Sequence, residues 1–320
     1  MLYLSREEVY SLLTHDMAIQ SCEEGLKLEA ANKVWTTARI HYDLEQKGKF
    51  IRFMPAAGNG FVGLRTYTVG KGGGAIMYIL WDGQNGNPLA MMDARAIRDL
   101  RTGAIGAIGA KYLARPDSKN VAVLGSGVIA KSGLTAHSRL FKLANVKIYS
   151  PTREHREATS KEMAALLKVN VEPAESPEAA LKNADIVITG AARHDEPVLK
   201  GRWYHPGMYI SGIGTKDELD DDAVTRAAKV VVDSKAQFEY ECEDVTNQVK
   251  KGLLTWDRVA ELQQVASGQS PARENPNEIT LLKTTGTATQ DLFPAISVYK
   301  KALEVHAGKD MGDLFPGMKE

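Results

Sequence analysis

The chain has 320 residues with 40 basic and 40 acidic side chains, so its formal net charge is zero and its pI is about 7.1. Such a length predicts about two domains, each with a core of its own, and the balanced charge argues against nucleic acid or an anionic membrane as a partner. Cys22 and Cys242 stand apart from each other, without a Cys-x-x-Cys or Cys/His cluster, so neither a disulfide scaffold nor a metal site is expected.

The N-terminal segment and the hydropathy of the chain indicate a soluble protein of the cytoplasm. The first residues, MLYLSREEVYSLL, place charge where a signal peptide would have its apolar core. No apolar run approaches the ~20 residues that a membrane-spanning helix requires. A reducing compartment also fits the low cysteine count.

The first third of the chain predicts helices followed by a meander of strands. Residues 1–34 have apolar side chains at helical spacing, and Ser5 to Glu8 form a predicted capping box. From residue 38 onward, strand-like runs alternate with glycine turns, and Asp-Gly and Asn-Gly dipeptides precede a further apolar run at residues 89–92. Since no helical crossover separates these strands, they predict an antiparallel or mixed sheet. The strand-like runs are residues 38–44, 49–56, 60–69 and 75–83.

A glycine-rich helix is predicted between residues 93 and 114. Gly103, Gly106 and Gly109 recur at every third position among alanines and isoleucines. Because glycine costs a helix about 1 kcal/mol relative to alanine, this repeat predicts that another backbone approaches the helix closely. We therefore expect the helix to pack tightly on the part of the chain that follows it.

Residues 119–134, KNVAVLGSGVIAKSGL, have the features of a dinucleotide-binding turn. An apolar run leads into a G-x-G-x-x-A pattern, and a helical segment follows. Gly125 permits a tight turn, Gly127 lets a pyrophosphate approach the backbone, and Ala130 lets helix and strand pack closely. The amide groups at the start of the helix would then face the phosphates.

Beyond this turn, strands and helices alternate up to residue 290, and residues 291–306 predict a terminal helix. This alternation predicts an α/β fold with a doubly wound parallel sheet of the Rossmann type, in which ligands lie at the carboxyl ends of the strands. We assign residues 116–290 to this Rossmann domain and residues 1–115 to a smaller α+β domain. The predicted strands are residues 146–149, 185–189, 208–211 and 230–233, and the predicted helices are residues 153–167, 176–183 and 223–227.

Several segments, in order along nearly the whole chain, resemble the ornithine cyclodeaminase/μ-crystallin family. The resemblance implies hydride transfer between NAD(H) or NADP(H) and the α-carbon of a small imino or amino acid. It also implies a homodimer in which the N-terminal domain, completed by the C-terminal helix 291–320, binds the substrate and forms the dimer contact. The segments are Met54-Pro55-Ala56, Arg101-Thr102, 111–114, 123–127, 184–189, 210–214 and 283–286.

Two arginines match substrate-binding positions of the family. Arg39 matches the arginine that holds the substrate carboxylate, and Arg101 matches a second arginine near substrate and cofactor. A guanidinium binds a carboxylate in a bidentate manner and stays charged, which suits this role. Alternatively, each arginine forms an ion pair with an acid nearby in sequence and does not bind substrate. The candidate pairs are Arg39 with Asp43, and Arg101 with Asp99 or Asp93.

Three positions depart from the cyclodeaminase pattern. Arg52 replaces the family's glutamate before Met-Pro, Arg65 replaces its usual lysine, and Lys216 lies where the ornithine-specific enzymes have an acid. A cationic diamine would be repelled by these exchanges, so ornithine cyclisation is disfavoured. A cluster of Arg39, Arg52, Arg65, Arg101 and Lys216 instead favours a dianion, because uncompensated buried charge is costly. We expect iminosuccinate, reduced to aspartate, as in an iminosuccinate-reductase-like branch. The alternative is that Arg52 or Lys216 faces solvent and pairs with Glu45 or Asp217.

The second strand of the Rossmann unit does not decide between NAD and NADP. Ser150-Pro151-Thr152-Arg153 stands where NAD-binding proteins commonly have an acid for the ribose diol. Arg153 could hold a 2′-phosphate, or it could begin a helix and pair with Glu157. The residues expected at the cofactor are Arg101, Thr102, Gly125, Ser126, Gly127, Val128, Ile129, Ser150, Thr152, Arg153, Thr189, Gly190, Ala191, Ile213, Gly214, Thr284 and Gly286.

The expected activity is that of an NAD(P)H-dependent imino-acid reductase, reversible as an amino-acid dehydrogenase, with Arg65, Arg101 and Lys216 as candidate catalytic residues. Imine reduction also needs a proton, which a guanidinium cannot donate near neutral pH, and His41 and His194 are the candidates for it. Three alternatives stay open: a ketimine reductase, an alanine dehydrogenase, and a μ-crystallin-like binder without catalysis.

Overall fold

The structure, a computed structural model, describes residues 1–45, 48–69, 74–191, 196–214 and 218–314. The chain divides into two compact units, Met1–Arg101 with Thr287–Glu320 and Thr102–Gly286. One helix, α3 (Arg95–Leu113), begins in the first unit and ends in the second. The units therefore divide inside this helix and ahead of the last helix, whereas the sequence suggested divisions after residues 115 and 290.

The first unit is built on a mixed sheet with helices on one face. Its strands lie in the order β16-β1-β7-β6-β5-β4-β2, and β3 also pairs with β4. β1 is parallel to β7, and the other neighbours are antiparallel, as the meander predicted. The strands are β1 (Leu2–Leu4), β2 (Val34–Thr36), β3 (Ile40–Asp43), β4 (Phe50–Gly58), β5 (Phe61–Val69), β6 (Ile76–Asp82), β7 (Pro88–Asp93) and β16 (Lys309–Asp310).

The predicted helical segment 1–34 is wrong at both ends. Leu2–Leu4 and Val34–Thr36 are strands, and between them lie α1 (Arg6–Leu12) and α2 (His15–Ala30). The capping box of α1 is confirmed, since Ser5 and Glu8 bond reciprocally to each other's backbone amides. The two strands carry no local signal because β1 pairs with residues 90–92 and β2 with residues 56–58, far along the chain.

The two faces of this sheet differ because side chains alternate along each strand. On the inner face, Arg65 and Tyr78 are buried, whereas on the outer face Val62 and Met77 are exposed. The last helix, α11 (Thr289–Glu304), packs on α2 and on β4, β5 and β6, so it covers the inner face. The residues of β4 and β5 that point inward therefore meet the side chains of α11.

The second unit is a parallel sheet with helices between its strands. The strand order is β10-β9-β8-β11-β12-β15-β13-β14, and every neighbouring pair is parallel. The strands are β8 (Asn120–Leu124), β9 (Asn145–Tyr149), β10 (Asn170–Pro173), β11 (Ile186–Thr189), β12 (Tyr209–Gly212), β13 (Lys229–Val232), β14 (Val259–Glu261) and β15 (Thr280–Lys283). The helices are α4 (Val128–Leu140), α5 (Arg153–Leu167), α6 (Pro177–Leu181), α7 (Asp221–Thr225), α8 (Lys235–Glu241), α9 (Glu243–Lys250) and α10 (Leu262–Ala266), with 3-10 turns at Gly201–Trp203 and Trp256–Arg258.

The doubly wound α/β fold is therefore confirmed. From β8 the chain continues to β9 and β10 on one side and to β11 and β12 on the other, which makes the gap between β8 and β11 the switch point. Such sheets bind ligands outside the carboxyl ends of the strands at that point. The strands β10, β14 and β15 and the helices α8 to α10 were not predicted, and none of them forms the switch point.

The close approach predicted for the glycines of α3 is confirmed within the second unit. A side chain at Gly103 would lie 2.6 Å from the backbone of Ser132 on α4. At Gly109 it would lie 2.5 Å from the hydroxyl oxygen of Tyr209, which itself donates to the carbonyl oxygen of Gly106 at 3.0 Å. The absent side chains thus let α3 pack directly on α4 and β12.

Among the described residues, no helix combines the length and apolarity needed to cross a bilayer.

Candidate functional site

The turn after β8 offers an open approach to a helix N-terminus. At Gly125, with φ +128°, a side chain would lie 2.6 Å from the carbonyl oxygen of Gly190, so this tight passage requires glycine. Gly127 differs, because no heavy atom lies within 4 Å of where its side chain would begin. It precedes the first turn of α4, whose free amides can bind an anion. The turn therefore has room for a pyrophosphate against the backbone.

The end of β9 is held by protein contacts of its own. The hydroxyl of Ser126 donates to that of Ser150 at 3.1 Å, and the buried Arg156 donates to the carbonyl oxygen of Ser150 at 3.2 Å. Arg153 is exposed, and its Nε lies 2.7 Å from a carboxylate oxygen of Glu157. Of the two alternatives for Arg153, the structure shows the one in which it begins a helix and pairs with Glu157. Thr152 and Val128 are exposed and Ile129 is half-buried at the same edge.

A buried ion-pair cluster lies behind the ends of β11 and β15. Lys283 Nζ lies 2.6 Å from Glu218 and 3.1 Å from Asp244, and Lys283 and Glu218 are fully buried. Burial alone would lower the pKa of Lys283, but the two carboxylates outweigh it and raise that pKa above its usual value. Thr189 donates to Glu218 at 2.8 Å, so its side chain faces the cluster. One signal for this cluster was present in the sequence, a lysine that ends the segment TLLK.

The segment after β15 is held by Asp233, a contact that the sequence did not predict. The backbone amides of Thr285 and Gly286 donate to the Asp233 carboxylate at 3.0 Å and 2.6 Å. The amide of Thr284 donates to the carbonyl oxygen of Gly212 at 3.0 Å. Gly286 has φ +87°, a backbone conformation that favours glycine. Of the remaining predicted cofactor positions, Gly190 and Ala191 follow β11, Ile213 and Gly214 follow β12, and Thr102 lies on α3.

In the first unit, two predicted arginines share one buried carboxylate. Arg65 Nη1 lies 3.0 Å and 2.9 Å from the two oxygens of Asp291, and Arg101 Nε lies 2.9 Å from one of them. Arg101 Nη1 also donates to the side-chain oxygen of Gln290 at 3.3 Å. The arginines are 3% and 4% exposed, and Asp291 is fully buried. Burial is the main influence that lowers the pKa of Arg65, while Asp291 opposes it.

The expected alternative partners of Arg101 are wrong. Asp99 accepts hydrogen bonds from Tyr10 at 2.6 Å and from Arg98 at 2.7 Å, and Asp93 pairs with Arg6 at 3.3 Å. Asp291 takes their place and comes from α11, 190 residues further along the chain. Asp43, the alternative partner suggested for Arg39, lies 3.0 Å from His41.

Arg52 lies beside Tyr67 on the same inner face. The two residues are directly opposite each other on β4 and β5, and Arg52 Nη1 donates to the Tyr67 phenol oxygen at 2.9 Å. Arg52 Nε donates to His41 Nδ1 at 2.8 Å, and its guanidinium lies 4.6 Å from the centre of the Phe50 ring. Arg52 therefore does not simply face solvent, as one interpretation of the sequence supposed.

The surroundings on this face shift the pKa values of Tyr67 and Tyr78 in opposite directions. Burial raises the pKa of Tyr67, but the charges of Arg39, Arg65 and Arg52 outweigh it, and that pKa lies below its ordinary value. Burial also raises the pKa of Tyr78, and Asp291 raises it further, so that pKa lies well above its ordinary value. The positive side of the cluster is thus at Tyr67 and its negative side at Asp291.

The structure therefore brings Arg39, Arg52, Arg65 and Arg101 near one another, around Tyr67 and Asp291. The charge Asp291 supplies to this cluster was missed, although one signal was available. Asp291, Ala295, Val298 and Ala302 are spaced as one helical face, and all are fully buried. An acid on a core face predicts a buried ion pair. Lys216 and His194 lie outside the described residues.

Comparison with known proteins shows which family the chain matches. Residues 1–306 match the ornithine cyclodeaminase/mu-crystallin family. Alanine dehydrogenase of Archaeoglobus fulgidus is 35% identical over 324 residues, which covers 96% of this chain and 97% of that protein.

Solved structures superpose over nearly the whole chain. Δ1-pyrroline-2-carboxylate reductase of Thermococcus litoralis, in complex with NADH and L-proline, gives a TM-score of 0.91 at 30% identity and covers 97% of this chain and 100% of its own. An archaeal alanine dehydrogenase dimer with bound NAD gives 0.87 at 30% identity, with 98% and 99% covered. The iminosuccinate reductase of Paracoccus denitrificans, in complex with NAD+, gives 0.89 at 22% identity, with 97% and 98% covered, and at that identity it shows the fold alone. The chain belongs to the ornithine cyclodeaminase/mu-crystallin family.

Proposed function

We propose that this protein is an NAD(H)-dependent oxidoreductase that interconverts a small 2-imino acid and the corresponding 2-amino acid. The observation that carries the proposal is the open turn at Gly127, which offers a dinucleotide a helix N-terminus at the switch point of a parallel sheet. The relatives that match along the whole chain act on alanine and on pyrroline-2-carboxylate. Both reactions interconvert C=N and CH–NH groups.

The second unit would hold the cofactor through the amides that start α4 and through the strand ends at Ser150, Gly190, Gly214 and Thr284. The bound nicotinamide supplies or accepts a hydride. We favour NAD(H) over NADP(H), because Arg153 is paired with Glu157 and the two solved relatives at 30% identity are complexes with NADH and NAD. A 2′-phosphate would have to separate that ion pair.

The first unit would hold the substrate carboxylate through its arginines. Guanidinium groups that are fixed by other contacts can orient a carboxylate without losing much conformational entropy on binding. Arg39 and Arg52 are half-buried, and Arg65 and Arg101 are fixed by Asp291. Lys216 stays a candidate from the sequence.

We propose a substrate with one carboxylate. The sequence argument for a dicarboxylic imine assumed that the arginines lacked an internal anion, and Asp291 supplies one for two of them. Charge balance therefore no longer demands a second carboxylate from the substrate. Iminosuccinate stays a prediction, and the test below includes it.

The test is a panel of substrates with both cofactors. Purified protein is mixed with NADH or NADPH and with Δ1-pyrroline-2-carboxylate, pyruvate plus ammonia, or oxaloacetate plus ammonia, and cofactor oxidation is followed by absorbance. We expect turnover with NADH on the first two substrates and a weaker rate on the third. A higher kcat/KM on oxaloacetate with ammonia would restore the dicarboxylic substrate.

A binding measurement separates enzyme from binder. Cofactor fluorescence is titrated alongside the kinetics. Tight NADH binding without turnover on any substrate would indicate a μ-crystallin-like binding protein. Absence of NADH binding would overturn the proposal altogether.

A further inference from the structure

The proposed reaction needs a proton as well as a hydride, and the arginine cluster must contain or adjoin its source. Guanidinium groups do not release protons near neutral pH. His41 accepts a hydrogen bond from Arg52 at Nδ1, at 2.8 Å, and its Nε2 lies 3.0 Å from Asp43. Both ring nitrogens of His41 are therefore engaged by neighbouring side chains. A group whose hydrogen is not already directed at a protein acceptor is better placed to donate to a ligand.

Tyr67 is placed to be that group. It is two residues from Arg65 on β5, so both side chains lie on the inner face, and it is directly opposite Arg52. Its phenol oxygen accepts a hydrogen bond from Arg52 at 2.9 Å, and the Arg65 guanidinium lies 5.3 Å from its ring centre. Within the part of the chain that the structure describes, the phenol's own hydrogen has no acceptor. That hydrogen remains available to a ligand.

The surroundings of Tyr67 favour release of its proton. The charged groups that face it are Arg65 on its own strand, Arg52 on β4 and Arg39 ahead of β3, and together they hold its pKa below the ordinary value against the opposing effect of burial. Asp291 on α11 bonds to Arg65, and it is one of the influences that raise the pKa of Tyr78. Two tyrosines on one face are thus driven in opposite directions, which is how sites separate acid and base roles.

We propose that Tyr67 is the proton donor to the substrate nitrogen in imine reduction and the proton acceptor in amine oxidation. This inference rests on the proposed function. In reduction the C=N π pair takes the phenol proton at nitrogen while carbon gains the hydride that the nicotinamide supplies. A C–H and an N–H bond form, and the C=N π bond, the Tyr67 O–H bond and the donor C–H bond of the cofactor break. The phenolate is stabilised by the three arginines and regains its proton from water.

The first experiment compares Tyr67→Phe with Tyr42→Phe. Tyr42 is 60% exposed on β3 and makes the matched control for the loss of one hydroxyl. With a preformed cyclic imine and NADH, we expect Tyr67→Phe to lower kcat about a hundredfold or more with little change in KM, as for loss of a general acid. Tyr42→Phe should keep the wild-type rate.

The pH dependence gives a sharper readout. Reduction needs the protonated phenol, so its kcat falls as pH rises through the Tyr67 pKa, whereas amine oxidation rises through the same pKa. Tyr67→Phe should lack both limbs. A tyrosine that only positions Arg52 would raise KM and leave the pH profile intact, and that result would overturn the inference.

A second measurement does not depend on turnover. Ultraviolet difference titration of the cofactor-free protein reports phenolate formation directly. Wild type and Tyr42→Phe should show one tyrosine that ionises below the ordinary range, and Tyr67→Phe should lack it. If the wild-type protein turns over and Tyr67→Phe has the same rate and pH profile, Tyr67 is not the proton donor, and the proposed function still stands. Wild type without turnover on any imino acid refutes the proposed function, whatever the titration shows.

Discussion

Asp291 organises the arginine cluster at the scale of single residues. Its carboxylate contacts Arg65 and Arg101, which are themselves buried, so the three groups lie away from solvent. Removing one partner of a buried ion pair leaves the other charges without compensation, which typically costs about 3–5 kcal/mol. This residue therefore has a structural role that is independent of any ligand.

We expect Asp291→Asn to lower the free energy of unfolding by at least about 3 kcal/mol, because two buried guanidinium groups would face a neutral amide. Urea denaturation measures the change. Asp117→Asn is the matched control, since Asp117 is 81% exposed in its ion pair with Arg115 and surface pairs contribute less than about 1 kcal/mol. Equal losses from the two variants would show that the buried charge is not the cause.

Arg52→Glu should reduce kcat/KM on every substrate about a hundredfold or more. The change removes a charge-assisted bond of about 1.5–3 kcal/mol, adds repulsion toward any carboxylate, and takes the hydrogen-bond donor from Tyr67. Steady-state kinetics on pyruvate and oxaloacetate, each with ammonia, measure it. Arg52→Lys, which keeps the charge, should lose much less. A loss of kcat/KM confined to oxaloacetate with ammonia would instead indicate that Arg52 binds a second carboxylate of the substrate.

Gly127→Val tests the open turn. The φ at Gly127 is −80° and nothing lies within 4 Å of the added side chain, so the fold should tolerate it. A branched side chain would nevertheless occupy the space that a pyrophosphate needs. We expect an unchanged denaturation midpoint and a loss of NADH affinity of at least about a hundredfold by fluorescence titration, or about 2.7 kcal/mol. Gly127→Ala should fall between wild type and valine.

At the scale of elements, the sequence predicted what is local and missed what is remote. The G-x-G-x-x-A turn, the capping box of α1 and the glycine row of α3 each occupy a short stretch whose side chains dictate the geometry. β1 and β2 depend on partners elsewhere in the chain, and Asp291 meets Arg65 across 226 residues. The charges of the arginines alone therefore could not balance, since the missing acid belongs to the predicted terminal helix, which the sequence did not connect with them.

The contact of α2 with α11 depends on Gly25. A side chain there would begin 2.6 Å from a ring carbon of Phe293, which is buried and cannot move freely. We expect Gly25→Ala to destabilise the protein by about 1–3 kcal/mol, even though alanine favours a helix by about 1 kcal/mol. Glu24→Ala, at the exposed neighbouring position, is the control and should be neutral or stabilising in urea denaturation. A stabilised Gly25→Ala variant would mean that the helices can separate at little cost.

At the scale of the whole molecule, the outer face of the first sheet is apolar. Val62 and Met77 are each 40% exposed on β5 and β6, and Trp35 on β2 is 70% exposed. Apolar faces of this extent in a soluble protein commonly form protein contacts. A related archaeal alanine dehydrogenase is a dimer. We propose that the protein is a homodimer formed through residues of the first unit.

Light scattering tests the homodimer. We expect twice the single-chain mass of 34.9 kDa at micromolar concentration, and a single-chain mass would contradict the proposal. The double variant Val62→Glu/Met77→Lys should dissociate the dimer without unfolding it. Leu166→Glu, at a position that is 60% exposed on α5 in the second unit, should leave the mass unchanged.

The discontinuity of the first unit has a consequence for the order in which the chain is made. Arg65 and Arg101 leave the ribosome long before Asp291. The whole second unit is synthesised after Arg101 and before Asp291. During that interval the inner sheet face lacks both the helix that covers it and the carboxylate that neutralises its arginines. The second unit, whose residues are continuous in sequence, can fold as it emerges, because domains generally fold as units during synthesis. The first unit is completed last, although its residues begin the chain.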